Sequence, residues 1–193
     1  MNSPRTILAA ALLVAIGQIG VLGWMIQGRA SILRDGRDVL LQVRPVDPRD
    51  LLRGDYVTLS YDISQLPITI FEAPPPGEGV ERPYTVYVRL AAAKDGLFQA
   101  VAARYGAPPS AAPAEGEVDI RGLAWGPWSA ITSPMGVTYG LERFYLPEGE
   151  GLAIETDMRE RPFRVRAAVA EDGAAVIRQF LDGETPVYDE PWY

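Results

Sequence analysis

A mainly β protein, with one N-terminal transmembrane helix followed by an antiparallel β-rich domain, is the fold class this chain predicts. Three observations predict it: an apolar run near the N-terminus, segments in which apolar and polar side chains alternate, and Asp-Gly pairs between several of those segments. From Thr6 to Ile26 the only strongly polar side chain is Gln18. That leaves about twenty apolar residues, enough to cross the hydrocarbon core of a bilayer. A cleavable signal peptide would have a shorter apolar region ending in a small-residue site, and no A-x-A site lies just beyond Trp24. The run therefore reads as an uncleaved signal-anchor over residues 1–30, with a β-rich domain over 31–193.

Strands follow in order. Val39 to Arg44 is the first candidate. Val57, Leu59, Tyr61 and Ile63 then alternate with Thr58, Ser60 and Asp62, and Tyr84, Val86, Val88 and Leu90 alternate with Thr85, Tyr87 and Arg89. A period of two is that of a strand with one buried face. Further strands are expected at Leu97 to Arg104, Glu117 to Trp125, Val137 to Tyr145, Phe163 to Val169 and Ala174 to Leu181. Asp95-Gly96, Asp172-Gly173 and Asp182-Gly183 supply hairpin turns, which favour antiparallel pairing over a doubly wound α/β sheet. One or two short helices complete the set, one of them beginning near Pro147 with Glu148 and Glu150 in its first turn and Leu152 and Met158 available for packing. The runs Ala73 to Gly79 and Ala107 to Gly116 are rich in proline, which cannot donate to a central ladder, and read as loops.

An internal repeat is also visible. Laying Asp95-Gly96 on Asp172-Gly173 places Val88 on Val165, Arg89 on Arg166 and Ala91 on Ala168. Two similar β halves, 38–125 and 134–193, would follow. Any two hairpins share alternation and a DG turn, so the match fits chance similarity as well as duplication.

Composition removes several function classes. The 193 residues hold no histidine and no cysteine, so Ser-His-Asp and Cys-His catalytic sets, thiol redox pairs, disulfides and ordinary zinc sites are all impossible. A formal net charge of -7 opposes nonspecific nucleic-acid binding, which depends on a basic surface. Lys94 is the sole lysine among 18 basic residues. Any chemistry would have to use carboxylates, hydroxyls, arginine or Lys94.

Charge is densest between Pro45 and Tyr61. Asp47 suits a helix N-cap, Pro48 the first helical position, and Gly54 a left-handed turn, so this stretch reads as a short helical turn feeding a strand. Asp47, Asp50 and Asp55 could offer hard oxygen ligands, but the spacing lacks the glycine and terminal glutamate of an EF-hand loop, and no metal site is assigned. A carboxylate pair working as acid and base would need Asp55 to approach Glu142 or Glu148. Tyr56 and Tyr61 lie five apart and face opposite sides of a regular strand. Only Tyr61 joins the core-facing row of Val57 and Leu59.

Gly54-Asp55-Tyr56, Leu59 and Tyr61 together resemble the GDYXXLXY pattern that names a protein family, and Val46 to Leu51 resembles the segment before it. Tyr139-Gly140-Leu141-Glu142-Arg143-Phe144-Tyr145-Leu146-Pro147-Glu148-Gly149 resembles that family's second block. The resemblance implies a membrane-anchored bacterial protein of unassigned biochemical function, often encoded beside multi-pass membrane proteins. It implies no catalytic residues and no cofactor. Candidate binding residues are Asp47, Arg49, Asp50, Arg53, Asp55 and Tyr56 in the first block, with Glu142, Arg143 and Glu148 in the second.

Pro48, Leu51, Gly54, Asp55 and Val57 are also similar to the segment after the nucleophile in signal-peptidase-like β proteins. Here Pro45, Val46 and Asp47 stand where a nucleophilic serine would be wanted. The expected role is thus non-enzymatic: binding or supporting another membrane component, with a membrane protein as partner. The alternative is an envelope hydrolase using hydroxyl, lysine or carboxylate groups, with Ser60 and Lys94 as candidates. Placement in the inner membrane with the domain in the periplasm follows from the resemblance. Arg29, Arg34, Arg37 and Arg44 after the span point the other way under the positive-inside rule, although long domains translocate largely regardless of charge.

Overall fold

The apolar run forms one long helix. The computed structural model describes residues 4–44, 56–74, 83–125, 134–145, 157 and 161–191. Helix α1 spans Pro4–Asp35. Its large apolar side chains lie open to the surroundings, Leu8 at 73% and Trp24 at 78% exposure, so the protein itself does not cover them. A helix apolar on all sides needs an apolar solvent, and this one is long and apolar enough to cross a membrane. Only its end is seated on the domain: Ala30 and Leu33 are buried.

Gly36 alone separates α1 from the first strand. Its amide donates to the Ile32 carbonyl at 2.9 Å, and a Cβ there would lie 2.4 Å from that oxygen. The chain can reverse so tightly only without a side chain. Arg178 fixes the junction by donating to the Leu33 carbonyl and to Asp38.

Twelve strands follow among the described residues: β1 Arg37–Arg44, β2 Tyr56–Thr58, β3 Ser60–Tyr61, β4 Gln65–Leu66, β5 Tyr84–Ala92, β6 Phe98–Tyr105, β7 Val118–Trp125, β8 Met135–Thr138, β9 Arg143–Tyr145, β10 Phe163–Val169, β11 Ala175–Asp182 and β12 Thr185–Asp189. They form two five-stranded sheets, β12-β11-β10-β1-β3 and β4-β8-β7-β5-β6, with a separate pair β2-β9. Every strand pair is antiparallel, as the Asp-Gly turns predict. Val39, Leu41, Val165 and Phe180 of the first sheet meet Val86, Val88, Leu90 and Ile120 of the second in one hydrophobic cluster. Fully burying each such side chain is worth about 1.5–3 kcal/mol.

Two expected strands are broken. The segment from Val57 to Ile63 keeps its alternation, with Val57, Leu59, Tyr61 and Ile63 all buried. It nevertheless changes partner at Leu59: β2 pairs β9, β3 pairs β1, and a 3-10 turn follows over Asp62–Ser64. The stretch from Val137 to Tyr145 divides into β8 and β9 around Gly140, whose φ of +80° is a left-handed turn. The helix expected from Pro147 lies outside the described residues, except for Asp157, whose carboxylate pairs with Arg161.

The proline-rich connector Ala107 to Gly116 is a loop and is held down. Arg89, a buried charge at 4% exposure, makes a two-pronged contact with Asp119, both bonds 2.8 Å, and donates to the Ala111 carbonyl at 2.6 Å. The planar guanidinium fork satisfies both carboxylate oxygens at once, which is what permits a charge at this depth.

Candidate functional site

The two motif blocks, some eighty residues apart in the chain, are bonded to each other. In the β2-β9 pair Tyr56 lies opposite Tyr145, Val57 opposite Phe144 and Thr58 opposite Arg143. The Leu59 amide then donates to the Glu142 carbonyl at 2.8 Å. The Tyr61 hydroxyl donates to the Leu141 carbonyl at 2.6 Å, and the Tyr139 hydroxyl returns the contact at the Ile63 carbonyl, 2.7 Å away. Each tyrosine thus satisfies a buried backbone acceptor in the opposite block.

Electrostatics keep both hydroxyls protonated. Burial pushes the Tyr61 and Tyr139 phenols well above their ordinary value, and the nearby Glu142 carboxylate adds to the effect. Glu142 itself is occupied by the turn it follows. Its Oε1 accepts the Tyr139 amide at 2.5 Å and its Oε2 the Gly140 amide at 2.9 Å. These bonds explain why β8 and β9 separate where simple alternation predicts one strand.

Cavities open on both sides of the Gly140 turn. The larger, about 650 Å³, lies against the second sheet and is lined by Tyr87, Arg121, Leu123, Thr138 and Glu142 among others. The smaller, about 440 Å³, has Leu141, Phe144, Val176 and Ile177 in its lining. Charged and polar groups complete it: Arg143 from β9, Arg29 from α1, and Tyr188 with Glu190 at the end of the chain. Arg29 pairs with Glu190 at 3.3 Å, and the Tyr188 ring meets Phe144 edge-on at 5.0 Å. Two guanidinium groups beside apolar side chains can hold an amphiphile with an anionic end.

Of the candidate residues, Tyr56, Glu142 and Arg143 fall in the described region, and the turn between the cavities puts Glu142 and Arg143 on different ones. Tyr56 enters β2 opposite Tyr145. Asp47, Arg49, Asp50, Arg53, Asp55 and Glu148 lie outside the described residues. Ser60 sits in β3 opposite Arg44, Lys94 sits in the turn between β5 and β6, and neither lines these two cavities. Among the described residues no three of Asp and Glu gather to hold a metal ion. Sequence reasoning missed Arg29, Tyr188 and Glu190 as parts of one cavity. Arg29 carried one signal, as the first charge after the apolar run.

No curated protein and no solved structure matches the chain. The family model described as GDYXXLXY protein matches residues 18–180, from within the apolar helix to β11. That span includes both motif blocks and the strands that join them. The chain therefore belongs to the GDYXXLXY protein family.

Proposed function

We propose that this chain is a single-pass, non-enzymatic envelope protein that binds or supports another membrane component. In this reading α1 is the anchor and the domain stands on the periplasmic side. One observation carries it: the second motif block lines a cavity whose opposite side is Arg29, the first charged residue beyond the exposed apolar run. Whatever enters this cavity meets the protein where its helix leaves the bilayer.

Geometry supports this reading in a second way. Among the motif residues in the described region, Tyr61, Tyr139 and Glu142 direct their polar atoms at backbone groups of the two blocks. They hold the Gly140 turn in place, and Leu141, Arg143 and Phe144 just after it line the smaller cavity. Arg143 and the α1 end then provide its recognition chemistry. The flanking arginines oppose the periplasmic placement, yet a domain of this length translocates largely regardless of such charges.

Photo-cross-linking in native membranes tests the proposal. A photoreactive side chain at position 188 is expected to give adducts with a membrane component, while one at position 94, on the hairpin turn, gives none. Equal labelling from both positions would refute the binding role. Turnover of an envelope substrate by the purified chain, with no adduct from position 188, would replace it with the hydrolase reading.

A further inference from the structure

We infer that the two motif blocks are copies of one element, carried by two repeats, residues 37–105 and 118–182, that exchange their first strands. Strand register carries this. A shift of 79 residues lays Val39 and Leu41 of β1 on Val118 and Ile120 of β7, and a shift of 77 lays Val88, Arg89 and Asp95-Gly96 on Val165, Arg166 and Asp172-Gly173. Pairings follow the same shifts. Leu41 opposite Val165 in the first sheet becomes Ile120 opposite Val88 in the second, and Val39 opposite Ala167 becomes Val118 opposite Leu90. Each first strand thus lies beside the hairpin of the other repeat. Four strands of one sheet, β11-β10-β1-β3, match β6-β5-β7-β8 of the other.

Finer features of the hairpins also superpose. The bulge between Arg89 and Leu90 falls on that between Arg166 and Ala167. Glu117 lies 3.9 Å from Arg89, and Asp38, its equivalent, lies 3.9 Å from Arg166. Asp95 accepts the Leu97 amide and Asp172 the Ala174 amide. Beyond the turns, the Gly106 amide donates to the Thr85 carbonyl at 2.9 Å and the Gly183 amide to the Pro162 carbonyl at 3.0 Å, both glycines having left-handed φ. Any two hairpins can share a DG turn. They do not thereby share a strand taken from the other half in matching register.

Between first strand and hairpin, a shift of 78 lays Leu59, Tyr61 and Ile63 on Val137, Tyr139 and Leu141, all six of them buried. This superposes the motif chemistry. The Tyr61 amide donates to the Ser64 hydroxyl at 3.1 Å, and the Tyr139 amide donates to the carboxylate of Glu142, the residue equivalent to Ser64, at 2.5 Å. The tyrosine hydroxyls follow suit. Tyr61 reaches the Leu141 carbonyl and Tyr139 the Ile63 carbonyl, so the two bonds exchange when the repeats do. Arg44 opposite Ser60 likewise becomes Leu123 opposite Thr138. Tyr61 and Tyr139 are therefore equivalent positioning residues that tie one repeat to the other. Shifts of 79, 78 and 77 in chain order need only one residue of difference in each intervening connector, a change that surface loops tolerate. The boundary between repeats then falls in the connector before β7, not between 125 and 134.

Two measurements test the inference, and neither depends on the role of α1. In the first, segments equivalent to 37–105 and 118–182 are aligned across members of the family without imposing a register. Recovery of the same three shifts is expected, with the two tyrosines and the two DG turns in shared columns. A different register, or a score no better than that against reversed segments, would overturn the duplication. In the second, a protease site is inserted between Ala112 and Pro113 of the full chain, and the protein is cut in detergent after its thermal transition has been matched to the uncut parent. Fragments that stay together, or that lose their β structure when separated in denaturant and regain it only when mixed, are the expected result. Fragments that part under native conditions and each keep a cooperative thermal transition would overturn the exchange.

Discussion

Tyr61 shows how a motif residue acts here. It is fully buried, and its hydroxyl crosses to the other block. Tyr61→Phe leaves the Leu141 carbonyl without that donor, and a loss of about 1–3 kcal/mol in chemical denaturation is expected. Tyr139→Phe should cost a similar amount. The raised phenol pKa values give a second prediction. Below about pH 10 both phenols are protonated in folded and unfolded chains, so their contribution is fully present. Above it the unfolded chain releases protons that the folded one keeps, and stability falls by about 1.4 kcal/mol per pH unit for each phenol. Phenolate absorbance from these two side chains should therefore rise only with unfolding, and the double Phe variant should show a shallower alkaline decline. The inward row was legible from period-two alternation. The role of Glu142 was not, because its carboxylate binds backbone amides that carry no sequence signature of their own.

The two Asp-Gly hairpins differ in what surrounds them. Gly96 and Gly173 both have left-handed φ values, +80° and +84°. A Cβ at Gly96 meets open space, whereas one at Gly173 would lie 2.9 Å from the Arg121 backbone nitrogen, which donates to the Gly173 carbonyl. Gly96→Ala should cost about 1 kcal/mol from backbone strain. Gly173→Ala should cost clearly more, because β7 must also move. Denaturant midpoints of the two variants check the order. At the connector before β7, Asp119→Ala removes the two-pronged partner of Arg89 and leaves it Glu117 and the Ala111 carbonyl, and a loss of about 1–3 kcal/mol is expected. Hairpin positions were readable from local turn chemistry. The pairing of β1 with β10 and of β7 with β5 was not, since it joins segments far apart in the chain.

For the whole molecule, the end of α1 is seated on the domain and joined to it at Gly36, and the cavity beside Arg29 lies at that junction. The apolar run, the mainly β class and the family were all legible from sequence. The cavity was not, because Arg29 and Glu190 meet only after folding, 161 residues apart. Orientation can be read with a single introduced cysteine, since the chain has none. Lys94→Cys should react with a membrane-impermeant thiol reagent in intact spheroplasts; reaction only after lysis would place the domain in the cytoplasm. The closeness of the cavity to the bilayer is the central claim, and depth-dependent quenching tests it most directly. A fluorophore on Val187→Cys, an exposed position beside Tyr188, and one on Lys94→Cys would be compared in proteoliposomes containing a head-group-linked quencher. Strong quenching at position 187 with weak quenching at position 94 is the predicted result, and equal quenching at the two would contradict it.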